Sequence, residues 1–407
     1  MVTGKRRSSR FSGEWRTYFL GHLIAPRKER VMPEDVPCSK CIELEHIQQI
    51  TGKIIGACVS GNQKSLKSVF YRGDILFGKL RPYLRKYALT HFSGVCSTEI
   101  WVFNSISKAI TLNQFAYYLL QSDWFIAAAN STIGTKMPRA DWSQLRYLKV
   151  KIPSSVKEQT AIAEVLSDAD CLIVSLQKLI AKKKAIKQGA MQELLTGKRR
   201  LPGFSGEWKT KKIKEIALIL DHCRIPVKES VRQAMEGNIP YCGANGVLGF
   251  VNDYTIDDDI ILVAEDGGYF EEFATRPIAY RMRGKCWVNN HAHILKAKVG
   301  IDQDYLFQAL VNKDVTAYIS SGTRSKLNKS ELLKIEIMLP EQVTAQRAIA
   351  QVLSDMDTEI EKLEKKLSEY QKIKQGMMQE LLTGRIRLIN AEPKQEQQVT
   401  IAAKKHN

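Results

Sequence analysis

The sequence lacks any long apolar stretch. No run of about 18 apolar residues occurs, which argues against a membrane-spanning helix, and no apolar segment follows the basic N-terminus as a secretory signal would require. The eight cysteines are scattered along the chain, which favours reduced thiols over a disulfide framework. We therefore expect a cytoplasmic protein that does not associate with membranes.

Catalytic and metal-binding motifs are also missing. No Pro-Pro pair occurs, so the Asn/Asp-Pro-Pro-aromatic motif of DNA methyltransferases is absent. The segment closest to a P-loop, 56–65, places two residues between its second glycine and Lys64, whereas phosphate binding needs the lysine directly there. Cys38 and Cys41 have no second CxxC, and the His291 and His293 pair has no third ligand nearby. We expect no catalysis, metal or cofactor in this chain.

Charge of one sign dominates. Lys and Arg total 61 against 43 Asp and Glu, which gives a net charge of +18. A field of this sign attracts polyanions, and nucleic acid is the first candidate because no long basic amphipathic helix favours a membrane surface. The length of 407 residues and the 44% hydrophobic content allow two or three domains with cores of their own.

The chain repeats itself. Three pairs of segments match almost letter for letter: AIAEVLSD at 161–168 with AIAQVLSD at 348–355, IKQGAMQELLTG at 186–197 with IKQGMMQELLTG at 373–384, and TGKRRSSRFSGEW at 3–15 with TGKRRLPGFSGEW at 196–208. The order is junction, variable region and helix, followed by the same three again. Such a chain is a two-unit ring cut open at one junction, which predicts neighbouring termini and a pseudo-twofold relation between the halves.

The repeated segments predict helices that pack side by side. We expect a short first helix and then a longer one that starts at Ser167 or Ser354 as N-cap and stops at Gly197 or Gly384. Apolar residues recur every three or four positions, as on one narrow helix face. The predicted seam consists of Ile173, Leu176, Ile180, Ile186, Leu194, Ile360, Leu363, Leu367, Tyr370, Ile373, Met377 and Leu381.

Two packing arrangements are possible for the helices. Each helix could pack only on its own domain, but near identity between the copies favours a shared partner: the other helix, in antiparallel orientation, and a common subunit. At about 1.5 Å per residue the longer helix spans roughly 43 Å, which exceeds the roughly 34 Å of one DNA turn. Helix length would then set the number of unread base pairs between two DNA-reading domains. Interior Gly189 and Gly376 fit either close approach of the partner helix or a kink.

The variable regions predict mixed α/β domains of one fold. Strand signals occur in GDILFGKL and DDDIILVAEDGG, helices at LNQFAYYLLQS and QDYLFQALVNK, and final strands at LKVKIP and LKIEIMLP. Basic, aromatic, Asn and His side chains in these regions suit phosphate and base contacts, although solvated strand edges and turn caps use the same residues. The candidate DNA contacts are Lys79, Arg81, Tyr83, Arg85, Lys86, Tyr87, Thr135, Lys136, Arg139, Tyr241, Asn245, Tyr269, Arg276, Asn289, Asn290, His291, Thr323, Arg324 and Lys326.

The blocks ending in QELLTG, the FSGEW junctions and WVNNHAH resemble the specificity subunits of type I restriction-modification systems over nearly the whole chain. The resemblance implies two target recognition domains that each read half of a split DNA site, and helices that bind two methyltransferase subunits. It implies further that motor and nuclease subunits join the complex for DNA cleavage. It also implies that S-adenosylmethionine, ATP and magnesium are held by partner subunits of this adenine methyltransferase and ATP-dependent endonuclease complex, and that this chain is not itself an enzyme.

We predict an α+β, mixed fold: two α/β target recognition domains separated by two long antiparallel helices that form a coiled coil. Recognition domains span 1–153 and 198–340, conserved helical spacers span 154–197 and 341–384, and a polar tail spans 385–407. The alternative is a non-specific architectural coiled-coil DNA-binding protein, which would share the charge and the helices but would not need two dissimilar domains.

Overall fold

Residues 13–131, 138–320 and 325–388 are described by the structure, a computed structural model. The chain divides into two units. Unit 1 comprises the residues up to Gln177 together with those from Lys366 onward, and unit 2 comprises the residues from Lys178 to Lys365. Each unit therefore contains one variable region, part of the first repeated helix and part of the second.

Unit 1 begins with strands and short helices. Its strands are β1 Trp15–Phe19, β2 Ile24–Pro26, β3 Arg30–Val31, β4 Lys40–Ile42, β5 Cys58–Val59, β6 Lys67–Phe70, β7 Ile75–Gly78, β8 Tyr87–Leu89, β9 Gly94–Ser97, β10 Ile100–Ser105 and β11 Lys149–Pro153. Its short helices are α1 Leu20–Leu23, α2 Asn113–Leu119, α3 Asp123–Asn130 and α4 Trp142–Leu145. The long helix α5 follows at Val156–Leu194 and crosses into unit 2.

Three sheets organise unit 1. One has the order β2-β10-β7-β8, the second β3-β6-β9-β4-β5, and the third is the two-stranded ladder of β1 with β11. Strands β4 and β9 run parallel, and the other paired neighbours run antiparallel. The main core packs these strands against α2 and α3 through fully buried Phe77, Phe103, Phe115 and Phe125.

The variable region of unit 2 also begins with a short strand and a short helix, and it has fewer, longer strands than that of unit 1. Its strands are β12 Trp208–Lys212, β13 Ala217–Ile219, β14 Ile239–Gly243, β15 Gly246–Val251, β16 Ile256–Ala264, β17 Ala279–Val288, β18 Ala292–Ala297 and β19 Glu336–Pro340. Its helices are α6 Ile213–Ile216, α7 Glu229–Gln233, α8 Gln303–Val311, α9 Lys329–Leu332 and the long α10 Val343–Leu381, which continues into unit 1. The sheet order is β13-β18-β16-β17-β14-β15, beside a β12 and β19 ladder.

The predicted mixed α/β character of both variable regions is confirmed. The strand signals correspond to β7 and β16, the helical segments to α2 and α8, and the final strands to β11 and β19. The apolar residues 75–77 of β7 and 260–264 of β16 are buried within their sheets, and Gly or Asp residues flank both runs.

Each repeated segment forms one continuous helix. Helices α5 and α10 have 39 residues each, about 58 Å at roughly 1.5 Å per residue. The predicted division into a short first helix and a second helix beginning at Ser167 or Ser354 is wrong. Residues 156–188 contain neither Pro nor Gly, so nothing interrupts the backbone hydrogen bonds, and the Ser and Asp residues cost too little to stop the helix.

Within each unit the two long helices run antiparallel. In unit 2, Lys183 and Lys187 of α5 pair with Glu359 and Asp357 of α10, so the partner number falls as the first number rises. In unit 1, Asp170 of α5 pairs with Lys374 of α10, and the earlier residue Glu158 of α5 pairs with the later residue Arg387, which follows α10. The antiparallel prediction is therefore confirmed by ion pairs inside each unit.

Most residues of the predicted seam are buried or half-buried. Buried members are Ile173, Leu176, Ile180, Leu194, Ile360 and Leu381, and half-buried members are Leu363, Leu367, Tyr370 and Met377. The prediction is wrong for Ile186 and Ile373, whose exposed fractions are 47% and 53%. The residues that follow them, Lys187 and Lys374, turn inward instead because each meets an aspartate of the other helix.

Gly189 and Gly376 do not mark a close approach between the helices. A Cβ atom added at either position would meet no atom within 4 Å among the described residues. The prediction of close packing inside this chain is therefore wrong, and helices α5 and α10 pass through both glycines without interruption.

The described residues also bear on membrane spanning, disulfides and metal binding. None of its helices is long and apolar enough to cross a membrane. All eight cysteines are free, and within the described ranges no group of three or more His, Cys, Asp or Glu side chains is placed to hold a metal ion.

Candidate nucleic-acid interface

In unit 1 the turn after β7 presents its side chains from a strained backbone. Arg81 and Arg85 flank a 3₁₀ turn at Pro82–Leu84, and both have φ of +51°. The left-handed conformation costs a non-glycine residue about 1–2 kcal/mol. Strain of this kind persists where surrounding contacts enforce it, and it concentrates at functional sites. Tyr83, at the tip, is 51% exposed.

Contacts from the end of α3 and from Pro138 hold this turn. The Tyr83 N–H donates to Asn130 Oδ1 at 3.0 Å, and the Arg81 N–H donates to the Pro138 carbonyl oxygen at 2.8 Å. Asn130 and Pro138 lie on either side of segment 132–137, which carries the candidate contacts Thr135 and Lys136 and falls outside the described residues. The structure therefore places the basic turn beside residues from both sides of this segment.

Arg139 lies beside the same turn. Its side chain pairs with Glu99 at 2.8 Å, and it forms an isolated bridge with Leu80. The neighbouring Ala140 N–H donates to the Lys79 carbonyl oxygen at 2.8 Å. Burial lowers the pKa of Lys79, and the nearby Glu99 opposes this shift. We call residues 79–85 with Asn130, Pro138 and Arg139 the loop edge of unit 1.

Three candidates from the same segment face inward. Arg85 pairs with Asp123 at 2.5 Å, and Lys86 donates to the Leu44 carbonyl oxygen at 2.6 Å. Tyr87 is 2% exposed, its hydroxyl donates to the Ile50 carbonyl oxygen, and burial raises its pKa. These side chains hold the turn and its neighbouring strands. The predicted DNA contact is wrong for Tyr87, because its side chain is buried.

Unit 2 has the same edge built from different side chains. Directly after β16, the Glu265 carbonyl oxygen accepts from the Leu327 N–H at 2.7 Å, and Asp266 bridges Lys326. Lys326 also bridges Ser320, so described residues from both sides of the segment with Thr323 and Arg324 meet here. Those two candidates lie outside the described residues. The loop edge of unit 2 comprises residues 265–269 with Asn245, His291, Ser320 and Lys326.

A buried ion network supports this second edge. Glu265 pairs with Arg224 and with Lys326, the latter at 2.9 Å, and Asp221 accepts from His293 Nδ1 at 2.8 Å. The other ring nitrogen of His293 faces the Leu327 carbonyl oxygen at 2.8 Å. Burial opposes ionisation of Glu265, yet hydrogen bonds from Arg224 and Lys326 outweigh it and lower its pKa.

Asp221 responds in the same way. Burial acts against its charge, but hydrogen bonds from His293 and from the Ile294 N–H leave its pKa below the ordinary value of 3.8. Both carboxylates of the network therefore stay ionised near neutral pH and orient Arg224, Lys326 and His293. No sequence pattern marks Asp221 or Arg224, and the neighbouring acids Glu265 and Asp266 look like surface charges in the sequence. The structure buries Glu265 instead, because segments far apart in the chain bring Arg224 and Lys326 to it.

Exposed candidates surround this network. Asn245 Nδ2 donates to the Gly267 carbonyl oxygen at 2.8 Å, and His291, 46% exposed, lies 2.5 Å from Asp266. The Arg276 guanidinium stacks 3.9 Å from the centre of the Tyr269 ring, which is 39% exposed. Amides, imidazoles and guanidiniums of this kind can bond base edges in the major groove.

Three other residues of this region need separate placement. Asn290 is exposed, and its carbonyl oxygen accepts from Arg224. Tyr241 is 4% exposed beneath Arg232, and Asn289 is 3% exposed, with its side-chain oxygen accepting from the His291 N–H. Tyr241 and Asn289 are therefore supporting residues in this structure rather than surface contacts.

Each variable region is fastened to the start of its helix in the same way. Gln159 of α5 is buried, and its amide donates to the carbonyl oxygens of Pro153 at 3.0 Å and Ile110 at 2.7 Å. Gln346 of α10 is buried too and donates to the Pro340 carbonyl oxygen at 2.9 Å. These amides fix the direction in which each helix leaves its region.

A second fastening lies further along each helix pair. Asp170 accepts from Lys374 at 2.6 Å and from the Tyr118 hydroxyl of α2 at 2.9 Å. The matching Asp357 pairs with Lys187 at 2.5 Å and accepts from Gln308 of α8 at 3.2 Å. In each unit one aspartate thus joins both helices to the variable region. A buried polar pair of this kind is suited to fixing helix register.

An open groove of about 870 Å³ lies in unit 1 between α3 and the helix pair. Trp124 from α3 and Met378 and Leu382 from the end of α10 line its apolar part, and Lys372 and Arg385 lie at its polar part. It lacks the glycine-rich turn that would hold a nucleotide phosphate.

Comparison with known proteins gives concordant matches. The family model for the type I restriction modification DNA specificity domain matches residues 58–188 and again 205–372. A Haemophilus influenzae protein named as a type I restriction enzyme specificity subunit is 35% identical over 153 residues, 38% of this chain and 38% of that protein. The present chain therefore matches about two fifths of that relative's length.

Other matches extend further along the chain. The type I restriction enzyme MjaVIII specificity subunit of Methanocaldococcus jannaschii is 26% identical, covering 64% of this chain and 67% of its own. The crystal structure of the type I restriction-modification S subunit from M. genitalium has a TM-score of 0.63 at 17% identity, covering 91% of this chain and 96% of its own. The latter likeness shows a shared fold.

Proposed function

Since the chain belongs to the family of type I restriction modification DNA specificity domains, we propose that it is the DNA-reading subunit of a type I complex. Each variable region reads one half of a bipartite site. The observation that carries this proposal is the loop edge: both units assemble it at the same place after β7 and β16, but with different side chains. One scaffold with two unlike surfaces suits two unlike half-sites.

Family membership supports a proposal about partners and cofactors. We propose that two methyltransferase subunits bind this chain, that restriction subunits join them, and that S-adenosylmethionine, ATP and magnesium are held by those partners. The net charge of +18 supports DNA as the shared ligand. The chain itself supplies the sequence preference and the spacing between half-sites.

Methylome sequencing tests the function as a whole. A host that expresses this chain with its methyltransferase subunit should gain methylated adenines in a split motif with a fixed gap, and should lose them when this gene is deleted. Footprints of equal strength on unrelated duplexes, with no motif, would support the architectural alternative instead. Methyl transfer by the purified chain alone would contradict the non-catalytic assignment.

The two loop edges can be tested separately. Tyr83→Ala should relax discrimination at one half-site and His291→Ala at the other, each by roughly 5-fold to 150-fold, since a good base contact contributes about 1–3 kcal/mol of discrimination. Lys151→Ala, on the exposed face of β11, is the control. If both edge variants change the same half-site, or neither changes any, the edges do not read DNA.

The helices offer two matching surfaces for the methyltransferase subunits. Ile186 with Gly189 in unit 2 and Ile373 with Gly376 in unit 1 stand in nearly identical sequence, and both isoleucines are exposed. Exposed apolar side chains that recur at equivalent places, next to glycines with open space around them, suit an identical partner binding twice. We propose one methyltransferase subunit on each surface.

Native mass spectrometry of the reconstituted complex measures this stoichiometry. Ile186→Asp or Ile373→Asp alone should leave one methyltransferase subunit bound, and the double variant should leave none, because a carboxylate in an apolar interface is costly to desolvate. Ala181→Asp, on another exposed face of α5, should keep both. Full assembly of the double variant would place the docking surface elsewhere.

A further inference from the structure

The two units close their junctions differently. In unit 2, Gly197 at the end of α5 has φ of +69° and lies over Trp208 of β12, with segment 198–207 joining them. In unit 1, Gly384 after α10 has φ of +72° and lies over Trp15 of β1 in the same way. No chain segment joins Gly384 to Trp15, which lies at the other end of the described residues. The same contact is therefore covalently supported in one unit only.

A buried carboxylate occupies the unsupported junction. Glu158, in the first turn of α5, has a side chain that is 0% exposed. It accepts from Arg387 Nε at 2.8 Å and Nη2 at 2.5 Å, and from Trp15 Nε1 at 3.3 Å. Its hydrogen bonds raise the pKa of Arg387. A single side chain thus bonds both the first strand and the segment that follows the last helix.

The covalently joined unit lacks this arrangement. Ala345 stands at the position that matches Glu158, an equivalence fixed by the next residues, Gln159 and Gln346, which make the same bond to the preceding proline. Arg200, which matches Arg387, donates to the Ser205 and Gly206 carbonyl oxygens of its own junction segment. In the unit where the peptide chain makes the connection, the position equivalent to Glu158 therefore carries no acid.

The ends that Glu158 joins belong to the core of unit 1. Strand β1 pairs with β11, and Leu381 and Leu382 at the end of α10 pack with Ile162 and Leu166 of α5. Release of the junction would therefore loosen both the edge ladder and the last turn of α10. An uncompensated buried charge is among the most destabilising changes a core can suffer, so the joint depends on all three partners.

We infer that Glu158 is a non-covalent joint, which holds β1 against the end of α10 in unit 1 as segment 198–207 holds β12 against the end of α5 in unit 2. The inference does not depend on the proposed function. It differs from the simpler description of a buried ion pair in one respect: the joint becomes dispensable when a peptide segment links the two ends.

Head-to-tail cyclisation supplies that segment. Residues 13–388 are closed by inserting Pro-Gly-Phe-Ser, the sequence of 202–205, between Leu388 and Gly13, which leaves unit 2 unchanged. The linear chain of the same residues is the reference, and the full chain is measured beside it. Glu158→Ala is placed in all three, with Glu164→Ala, exposed on the same helix, as the matched control.

Amide hydrogen exchange of β1 and of residues 378–388 is the readout. Glu158→Ala should accelerate exchange at least about tenfold in both linear chains and less than about twofold in the cyclic one. If the alanine variant fails to fold, Glu158→Gln takes its place, because it removes the charge but keeps the shape of the side chain. It should accelerate exchange in the linear chains by a smaller factor than Glu158→Ala. Equal acceleration in linear and cyclic chains, or none in the linear ones, overturns the inference.

Discussion

Replacing Lys374 by alanine tests whether the paired aspartates fasten the helices. In unit 1 the Lys374 ammonium lies 2.6 Å from Asp170, and the side chains are only 13% and 25% exposed. Lys374 also lies over the Tyr118 ring, whose hydroxyl donates to the same carboxylate. The substitution leaves Asp170 half-buried with one of its two partners.

The expected loss of unfolding free energy lies between two limits. An exposed ion pair contributes about 0–1 kcal/mol, whereas removing one partner of a fully buried pair costs about 3–5 kcal/mol. With one side chain nearly buried and the other a quarter exposed, we expect unit 1 to lose about 2 kcal/mol of unfolding free energy. Since about 1.4 kcal/mol changes an equilibrium constant tenfold, the opening constant should rise roughly 25-fold to 30-fold.

Hydrogen exchange resolves the two units, which a single unfolding curve would mix. Amides of β10 report on unit 1 and amides of β16 on unit 2. Lys374→Ala should accelerate the former and leave the latter unchanged. The control is Lys184→Ala, because Lys184 meets Glu364 at a similar 2.7 Å but the two side chains are 57% and 45% exposed. It should cost less than about 1 kcal/mol.

A double-mutant cycle completes the test. If the pair itself stabilises unit 1, Asp170→Ala should add little once Lys374 is already alanine, which gives a coupling energy of about 1–2 kcal/mol. Equal, small effects of Lys374→Ala and Lys184→Ala would refute the reasoning. So would additive effects of the two substitutions at the Asp170 and Lys374 pair.

Three further predictions concern single sites. Because the pKa of Asp221 lies below its ordinary 3.8, its contribution to the stability of unit 2 is present above about pH 3.8 and is lost as pH falls below that value. Asp221→Asn should therefore flatten the drop in unit 2 stability below about pH 4, measured by urea unfolding with pulse proteolysis. Gly189→Ala should stabilise unit 2 by about 0.5–1 kcal/mol in the same assay, since the added methyl group meets open space. Gln159→Ala should destabilise unit 1 by at least about 2 kcal/mol, because it leaves the Pro153 and Ile110 carbonyl oxygens buried without their donor.

The helices show how far an apolar pattern can predict packing. The spacing of Ile173, Leu176 and Ile180 predicts buried positions, and these are buried. The same spacing extended to Ile186 fails, because the count of apolar residues ignores Lys187, which is drawn inward by Asp357. A charge can occupy an interior position only when its partner is present, and the partner lies on the other helix.

The composition of the loop edges was harder to predict from the sequence than the packing of the helices. Sequence patterns identified the basic turn near Lys79 and the loop near Arg139 as separate features, and the structure joins them through backbone hydrogen bonds. Asp221 carries no recognisable sequence pattern, because an isolated acid in a turn has none, and Glu265 beside Asp266 looks like a surface charge. Their role follows from the cations that surround them in space.

The sequence by itself determined the duplicated organisation, the long helices, the α/β character of both variable regions and the family, because these follow from local periodicity and from comparing the chain with itself. Only the tertiary structure determined which side chains of the helices point inward, which residues support each loop edge, and how Glu158 joins segments from the two ends of the described chain. Those features arise from contacts between residues distant in sequence, and such contacts leave no local pattern.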